Sequence, residues 1–122
     1  MKKETVRCVL VKPHVDAVEI EIPNDYKFWQ KLVGGLVQVV YPFREEVAII
    51  CNDEGKLLNL ENNRFLVDPN TLEPYDVIAG DFLVFNAPYD EENFIDMTDE
   101  QVSRYTEMYK ANTTVMDLRM FI

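Results

Sequence analysis

Apolar and polar residues alternate along this chain in patterns that predict short strands and two helices. A β-branched run over residues 6–11 stops at Pro13, and residues 18–22 alternate strictly between apolar and acidic side chains. Such alternation is typical of a strand with one face in water. Because only a short connection separates the two segments, we expect them to be antiparallel neighbours.

The first helix is predicted to begin near residue 25 and to end at a pair of glycines. Asn24 can cap its free N–H groups, and Asp25 suits the positive end of the helix dipole. Trp29 belongs to an apolar face at helical spacing and is interpreted as a core anchor, with ligand stacking as the alternative. Gly34 and Gly35 favour the left-handed conformation that ends a helix.

The middle of the chain predicts strands joined by tight connections. Residues 36–41 and 47–51 are nearly continuous apolar runs, which favours central strands covered on both faces. Residues 52–55 are predicted to form a turn, residues 56–60 the next strand, and residues 61–64 a polar loop.

Beyond the polar loop, residues 65–67 are predicted to form a short strand, residues 71–80 an irregular stretch, and residues 81–86 the last strand. A second helix then begins at Thr98. Gln101 lies three positions later, which completes a capping box.

These patterns predict an α+β fold in a single domain over residues 1–111. We expect a mainly antiparallel sheet of five to six strands with two helices, in the order ββαββ…βα. Residues 112–122 form an apolar tail, predicted to dock on the domain or on a second copy in a homodimer. The apolar residues of this tail are Val115, Met116, Leu118, Met120, Phe121 and Ile122.

The charge of the chain restricts its partners. The chain contains 12 Lys and Arg residues and 22 Asp and Glu residues, which gives a formal net charge of −10. This charge repels nucleic-acid phosphates and anionic membranes, so we predict no direct binding to either. Plain solubility explains the charge, and so does imitation of DNA towards a basic protein; both interpretations stay open.

The sequence also predicts a cytoplasmic location. No segment has the length and apolarity of a membrane span. The start, Met1-Lys2-Lys3, is not followed by the apolar run of a signal peptide. Cys8 and Cys51 do not make a disulfide framework, so both are expected to be thiols.

No arrangement of residues predicts catalysis, a metal or a cofactor. His14 is the one histidine, and Ser103 lies in the exposed first turns of the second helix. Cys51 ends an apolar strand, where a buried, unreactive thiol is expected. The acidic residues between 90 and 100 lack the spacing of an EF-hand loop, and a solvated loop explains them.

Two polar segments that flank residues 57–60 are the best candidates for a binding site. Arg64 carries a planar donor fork suited to carboxylate or phosphate, whereas the structural alternative pairs it with a nearby Asp or Glu. The candidate ligand- or partner-binding residues are Asn52, Asp53, Glu54, Asn62, Asn63 and Arg64.

Several segments together resemble a known family. Val33-Gly34-Gly35, residues 52–57 and Asn63-Arg64 are the most specific of them. The chain from about residue 6 to residue 108 resembles a small bacterial domain family of unknown function, found in phages, plasmids and conjugative elements of Gram-positive bacteria. The resemblance implies a mobile-element setting and a cytosolic accessory protein, with no established activity.

The leading hypothesis is therefore a non-enzymatic interaction protein or modulator, with anti-defence activity as one form. Its expected partner is a host or element-encoded protein, basic in the simplest case. The alternative is a small-molecule or nucleotide-sequestering protein that places Arg64 on a phosphate. An enzyme is the third hypothesis, because no nucleophile, base and metal occur in a matched arrangement.

Overall fold

The computed structural model describes residues 4–122 of the chain. Seven strands and three helices, joined by loops and turns, lie within this range. Met1, Lys2 and Lys3, where we expected no signal peptide, lie outside these residues. The predicted α+β class and single domain are confirmed. In chain order the elements are β1 (Thr5–Val11), β2 (Val18–Pro23), α1 (Tyr26–Val33), β3 (Val37–Val40), β4 (Val47–Asn52), β5 (Asn62–Val67), β6 (Pro74–Ala79), β7 (Phe82–Asn86), α2 (Asp99–Met108) and α3 (Val115–Phe121).

Five of the strands form one antiparallel sheet in the order β2-β1-β7-β4-β3. The predicted pairing of the first two strands is confirmed. Every residue of β4 and β7 is buried, as expected for central strands. The central position predicted for residues 36–41 is wrong, because β3 is an edge strand with partly exposed residues.

Side chains that alternate along the strands divide the core between the two faces of this sheet. On one face, Cys8, Ile50 and Leu83 pack against α1. On the other, Val9, Ile49 and Val84 pack beneath β5, β6, α2 and α3. The sheet is therefore the middle layer of three, and α1 lies on the opposite side from the other two helices.

The second sheet, β5 with β6, differs from what the sequence predicted. The segment predicted as a strand over residues 56–60 belongs to a turn. The N–H of Leu60 donates to the carbonyl of Gly55, so the chain folds back on itself and does not extend. The segment predicted as irregular contains β6, whose first residue is Pro74. Proline is tolerated there because β6 is an edge strand. Asn62, expected in a loop, begins β5.

Local signals at the helix ends are largely confirmed. Gly34 has φ of 86° and ends α1, and Thr98 with Gln101 forms the predicted capping box of α2. The cap of α1 is Asp25, whose side chain accepts from a main-chain N–H two residues on. Asn24 is buried instead and donates to a carbonyl of the loop before α2.

The tail forms α3, which has its own capping box between Thr114 and Asp117. Leu118 lies in the core, and the helix contacts α2 and β5. Met116 and Met120, one turn apart, are 66% and 81% exposed. The boundary at residue 111 and the pairing with a second copy stay predictions.

Candidate functional site

An open cavity of about 300 Å³ lies between β3, the turn that follows β4, and β6. Four separate stretches of sequence contribute lining residues, from β3, from β4 with the turn after it, from β5 and from β6. The turn contributes two acidic residues, and β6 contributes a tyrosine and a third acidic residue. The lining residues that carry polar or reactive groups are Gln38, Cys51, Asn52, Asp53, Glu54, Lys56, Tyr75 and Asp76.

Asn52 fixes the geometry of the turn. Its Nδ2 donates to the carbonyl of Val33 at 3.0 Å, and its Oδ1 accepts from the N–H of Glu54 at 2.7 Å. Because both the nitrogen and the oxygen of this buried amide form hydrogen bonds within the protein, Asn52 stabilises the turn. The exposed carboxylates of Asp53 and Glu54 follow it at the mouth of the cavity.

Close packing holds the same turn against β6. A Cβ atom added to Gly55 would lie 2.5 Å from the carbonyl oxygen of Ala79. Only glycine permits this approach, so the turn and β6 form one continuous wall. Leu57 stands out from this wall and is 81% exposed.

The cavity carries an excess of negative charge. Three carboxylates, on Asp53, Glu54 and Asp76, face one ammonium group, on Lys56. Lys56 forms an ion pair with Asp76. The hydrogen bond from Lys56, with a second from the N–H of Val77, lowers the pKa of Asp76. The remaining carboxylates have no cationic partner among the residues that line this cavity.

The nearby carboxylates also help to raise the pKa values of two neutral side chains, Cys51 and Tyr75. Burial, followed by the charges of Asp53 and Asp76, raises the pKa of Cys51 to about 11. Burial and the charges of Asp68 and Asp76 raise the pKa of Tyr75. Cys51 is therefore a thiol at neutral pH, which fits the unreactive buried cysteine predicted from the sequence.

Arg64 lies outside this cavity and is only 3% exposed. Its Nη2 donates at 2.7 Å to the carbonyls of Val15 and Lys110. Longer bonds reach the carbonyls of Lys12 and Tyr109. The guanidinium thus joins the β1–β2 connection to the C-terminal end of α2, where the helix dipole favours a cation.

The predicted pairing of Arg64 with an acidic side chain is wrong, because main-chain carbonyls and the side chain of Asn63 take that place. Burial lowers the pKa of Arg64. Asn63 is equally engaged, since its Nδ2 donates to the carbonyls of Val11 and Gly80. Asn62 is exposed at the start of β5.

The structure therefore separates the two candidate segments. Asn52, Asp53 and Glu54 border the cavity, whereas the segment from Asn62 to Arg64 does not. Their part in binding stays a prediction. Sequence reasoning missed Tyr75 and Asp76, because the stretch that contains them was taken as irregular.

No group of three or more His, Cys, Asp or Glu residues within residues 4–122 is placed to hold a metal ion. His14 lies in an exposed turn and contacts Glu61 at 2.6 Å. None of the three described helices is long and apolar enough to cross a membrane.

Comparison with known proteins identifies a family. A family model described as a domain of unknown function (DUF3846) matches residues 6–110. The matched region runs from β1 to the end of α2 and contains every residue that lines the cavity. No curated protein and no solved structure matches the chain.

Proposed function

The chain belongs to the DUF3846 family of domains of unknown function, and we propose that it is a non-enzymatic interaction protein that binds a basic partner protein. The observation that carries this proposal is the cavity beside β3, where three carboxylates face one ammonium group. An uncompensated acidic surface attracts basic partners and speeds their encounter.

The composition of the cavity supports binding more than plain solubility. Leu57 and Tyr75 are 81% and 57% exposed at its margin. Solubility alone favours charged groups and disfavours exposed apolar ones. Surfaces that bind proteins are enriched in aromatic side chains and have a polar rim.

The nucleotide-sequestering alternative has less support. Arg64, its proposed phosphate ligand, is 3% exposed and already donates to carbonyl oxygens. The negative charge of the cavity also repels a phosphate.

The biological setting belongs to the same proposal. The resemblance to proteins of phages, plasmids and conjugative elements supports a cytoplasmic modulator of host functions, of which anti-defence activity is one form. A host or element-encoded basic protein is the partner that this setting and the acidic cavity together favour.

Affinity capture tests the proposed function. The tagged full-length protein is exposed to a bacterial lysate at about 50 mM and about 200 mM salt, since this range changes electrostatic screening strongly. We expect one stoichiometric protein that is lost at the higher salt. Capture of no protein, or of one that ignores salt, contradicts the proposal. A rise in melting temperature with a nucleotide would favour the alternative.

A further inference from the structure

The two edges of the five-stranded sheet differ in how they are protected. β2 carries Glu19 and Glu21 and ends at Pro23. Charged side chains and proline are common devices that prevent an edge strand from pairing with another chain. β3 has the sequence Val-Gln-Val-Val, with neither charge nor proline. β3 therefore lacks both features that protect β2, and its edge is open to pairing with another strand.

The hydrogen-bonding pattern identifies the free groups of β3. The N–H of Asp53 donates to the carbonyl of Leu36 at 2.8 Å, and Val37 stands opposite Asn52. In an antiparallel pair, alternate residues bond the neighbouring strand. The main-chain groups of Val37 and Val39 therefore point away from β4. Within residues 4–122, β3 has no second strand neighbour.

The same strand presents side chains to the acidic cavity. Gln38 and Val40 line it, on the face of the sheet that β6 covers. A strand added beside β3 lies about 4.8 Å away, and alternate side chains on it point to the same face. Those side chains would meet the mouth of the cavity, where Asp53 and Glu54 lie.

We propose that the free edge of β3 binds an extended segment of the partner protein, with lysine or arginine at alternate positions over the acidic cavity. This inference rests on the proposed function and names the form of the partner. Main-chain bonds to Val37 and Val39 provide affinity, and the alternate basic side chains provide specificity. Their aliphatic stems suit the exposed surfaces of Leu57 and Tyr75.

The test uses a synthetic peptide of eight residues that alternates lysine with valine. The isotope-labelled full-length protein is titrated with it and observed by NMR, beside a peptide with glutamate in place of lysine. We expect the amide signals of Val37 and Val39 to shift with the lysine peptide only. Absence of binding to the lysine peptide, or equal binding of both peptides, overturns the proposal.

Two variants of one residue test the edge pairing. Val39→Pro removes an outward N–H without removing a bond to β4, and proline is compatible with an edge strand. Val39→Thr keeps the N–H and the branched shape. We expect Val39→Pro to abolish peptide binding and Val39→Thr to retain it. If Val39→Pro does not fold, the edge pairing is tested instead with a lysine peptide that is N-methylated along its pairing edge. The proposal is overturned if this peptide binds the unmodified protein as tightly as the lysine peptide without N-methyl groups.

Paired charge variants test the cavity. Asp53→Asn with Glu54→Gln removes two negative charges at its mouth. Asp90→Asn with Glu91→Gln removes the same charge from an exposed loop outside it. We expect the first pair to weaken peptide binding about fivefold and the second to change it less than about twofold, as for partly screened ion pairs. Equal effects overturn the assignment to the cavity.

The results separate this inference from the proposed function. If a salt-sensitive partner is captured from lysate and binds Val39→Pro as tightly as the unmodified chain, the edge site is wrong and the proposed function stands. If the peptide binds with the expected dependence on Val39 but no partner is captured, the edge site stands and the proposed function falls.

Discussion

Replacing Arg64 with methionine should lower the free energy of unfolding by about 3 kcal/mol at pH 7. The two shortest bonds of the guanidinium, to the carbonyls of Val15 and Lys110, are both 2.7 Å long. A hydrogen bond from a charged donor contributes about 1.5–3 kcal/mol. Methionine fills a similar volume, so the change isolates the polar contacts.

Two such bonds together contribute about 3–6 kcal/mol. The lower end of this summed range applies for two structural reasons. Burial disfavours the charged guanidinium, as the lowered pKa of Arg64 indicates, and this cost is relieved in the variant. In addition, the carbonyls at the end of α2 keep other donors. The N–H of Ala17 bonds Tyr109 at 2.9 Å, and the N–H of Thr113 bonds Lys110 at 3.1 Å.

Urea unfolding followed by circular dichroism measures the loss. For a chain of this size, 3 kcal/mol corresponds to a melting temperature lower by about 10 °C. Arg64→Lys should recover only part of the stability, because an ammonium group lacks the planar fork. Lys56→Met, which breaks an exposed ion pair, is the control and should cost less than about 1 kcal/mol.

Two results would refute the reasoning. A loss below about 1 kcal/mol in Arg64→Met would mean that the carbonyl contacts contribute no more than an exposed pair does. Full recovery in Arg64→Lys would mean that charge alone, and not the fork, stabilises the junction. An unchanged dependence of the unfolding free energy on urea is needed in both variants, because a changed slope indicates an altered unfolded state.

Three further predictions concern other parts of the molecule. Cys8 and Cys51, whose pKa values burial raises to about 12 and about 11, should resist a thiol reagent at pH 8 until urea is added; stoichiometric reaction of the folded chain contradicts this. Burial raises the pKa of Asp81, so its charged form opposes folding above the ordinary value of 3.8. Asp81→Asn should therefore raise the melting temperature at pH 7 but not below that value, and an equal rise at both pH values contradicts the assignment. If the tail forms a homodimer, Met116→Glu with Met120→Glu should halve the mass measured by light scattering, whereas an unmodified chain of monomer mass refutes self-association.

Features with a local cause were predictable from the sequence. The capping box of Thr98 and Gln101 and the left-handed cap at Gly34 each depend on residues a few positions apart. Long-range position was not predictable. β3 and β4 are similarly apolar, yet one is an edge and the other is central, because that difference depends on where β7 inserts.

The candidate site was predictable only in part. Asp53 and Glu54 stand in a turn with a clear signature, so they were found. Tyr75 and Asp76 were missed because a proline at the start of β6 argued against a strand, although an edge strand tolerates it. The role of Arg64 has no sequence signature, since its acceptors are mostly main-chain carbonyls that any residue provides.

The position of β7 has a consequence for synthesis of the chain. β1 with β2 and β3 with β4 are hairpins of neighbouring sequence, whereas β7 is the last strand to be made and lies between them. While residues 82–86 remain inside the ribosome, the two hairpins have no strand to join them and each exposes an apolar edge. The five-stranded sheet can therefore form only after β7 has been made. Proteins that depend on such non-local strand pairing fold slowly. In that interval the unpaired strand edges make the incomplete chain prone to aggregation.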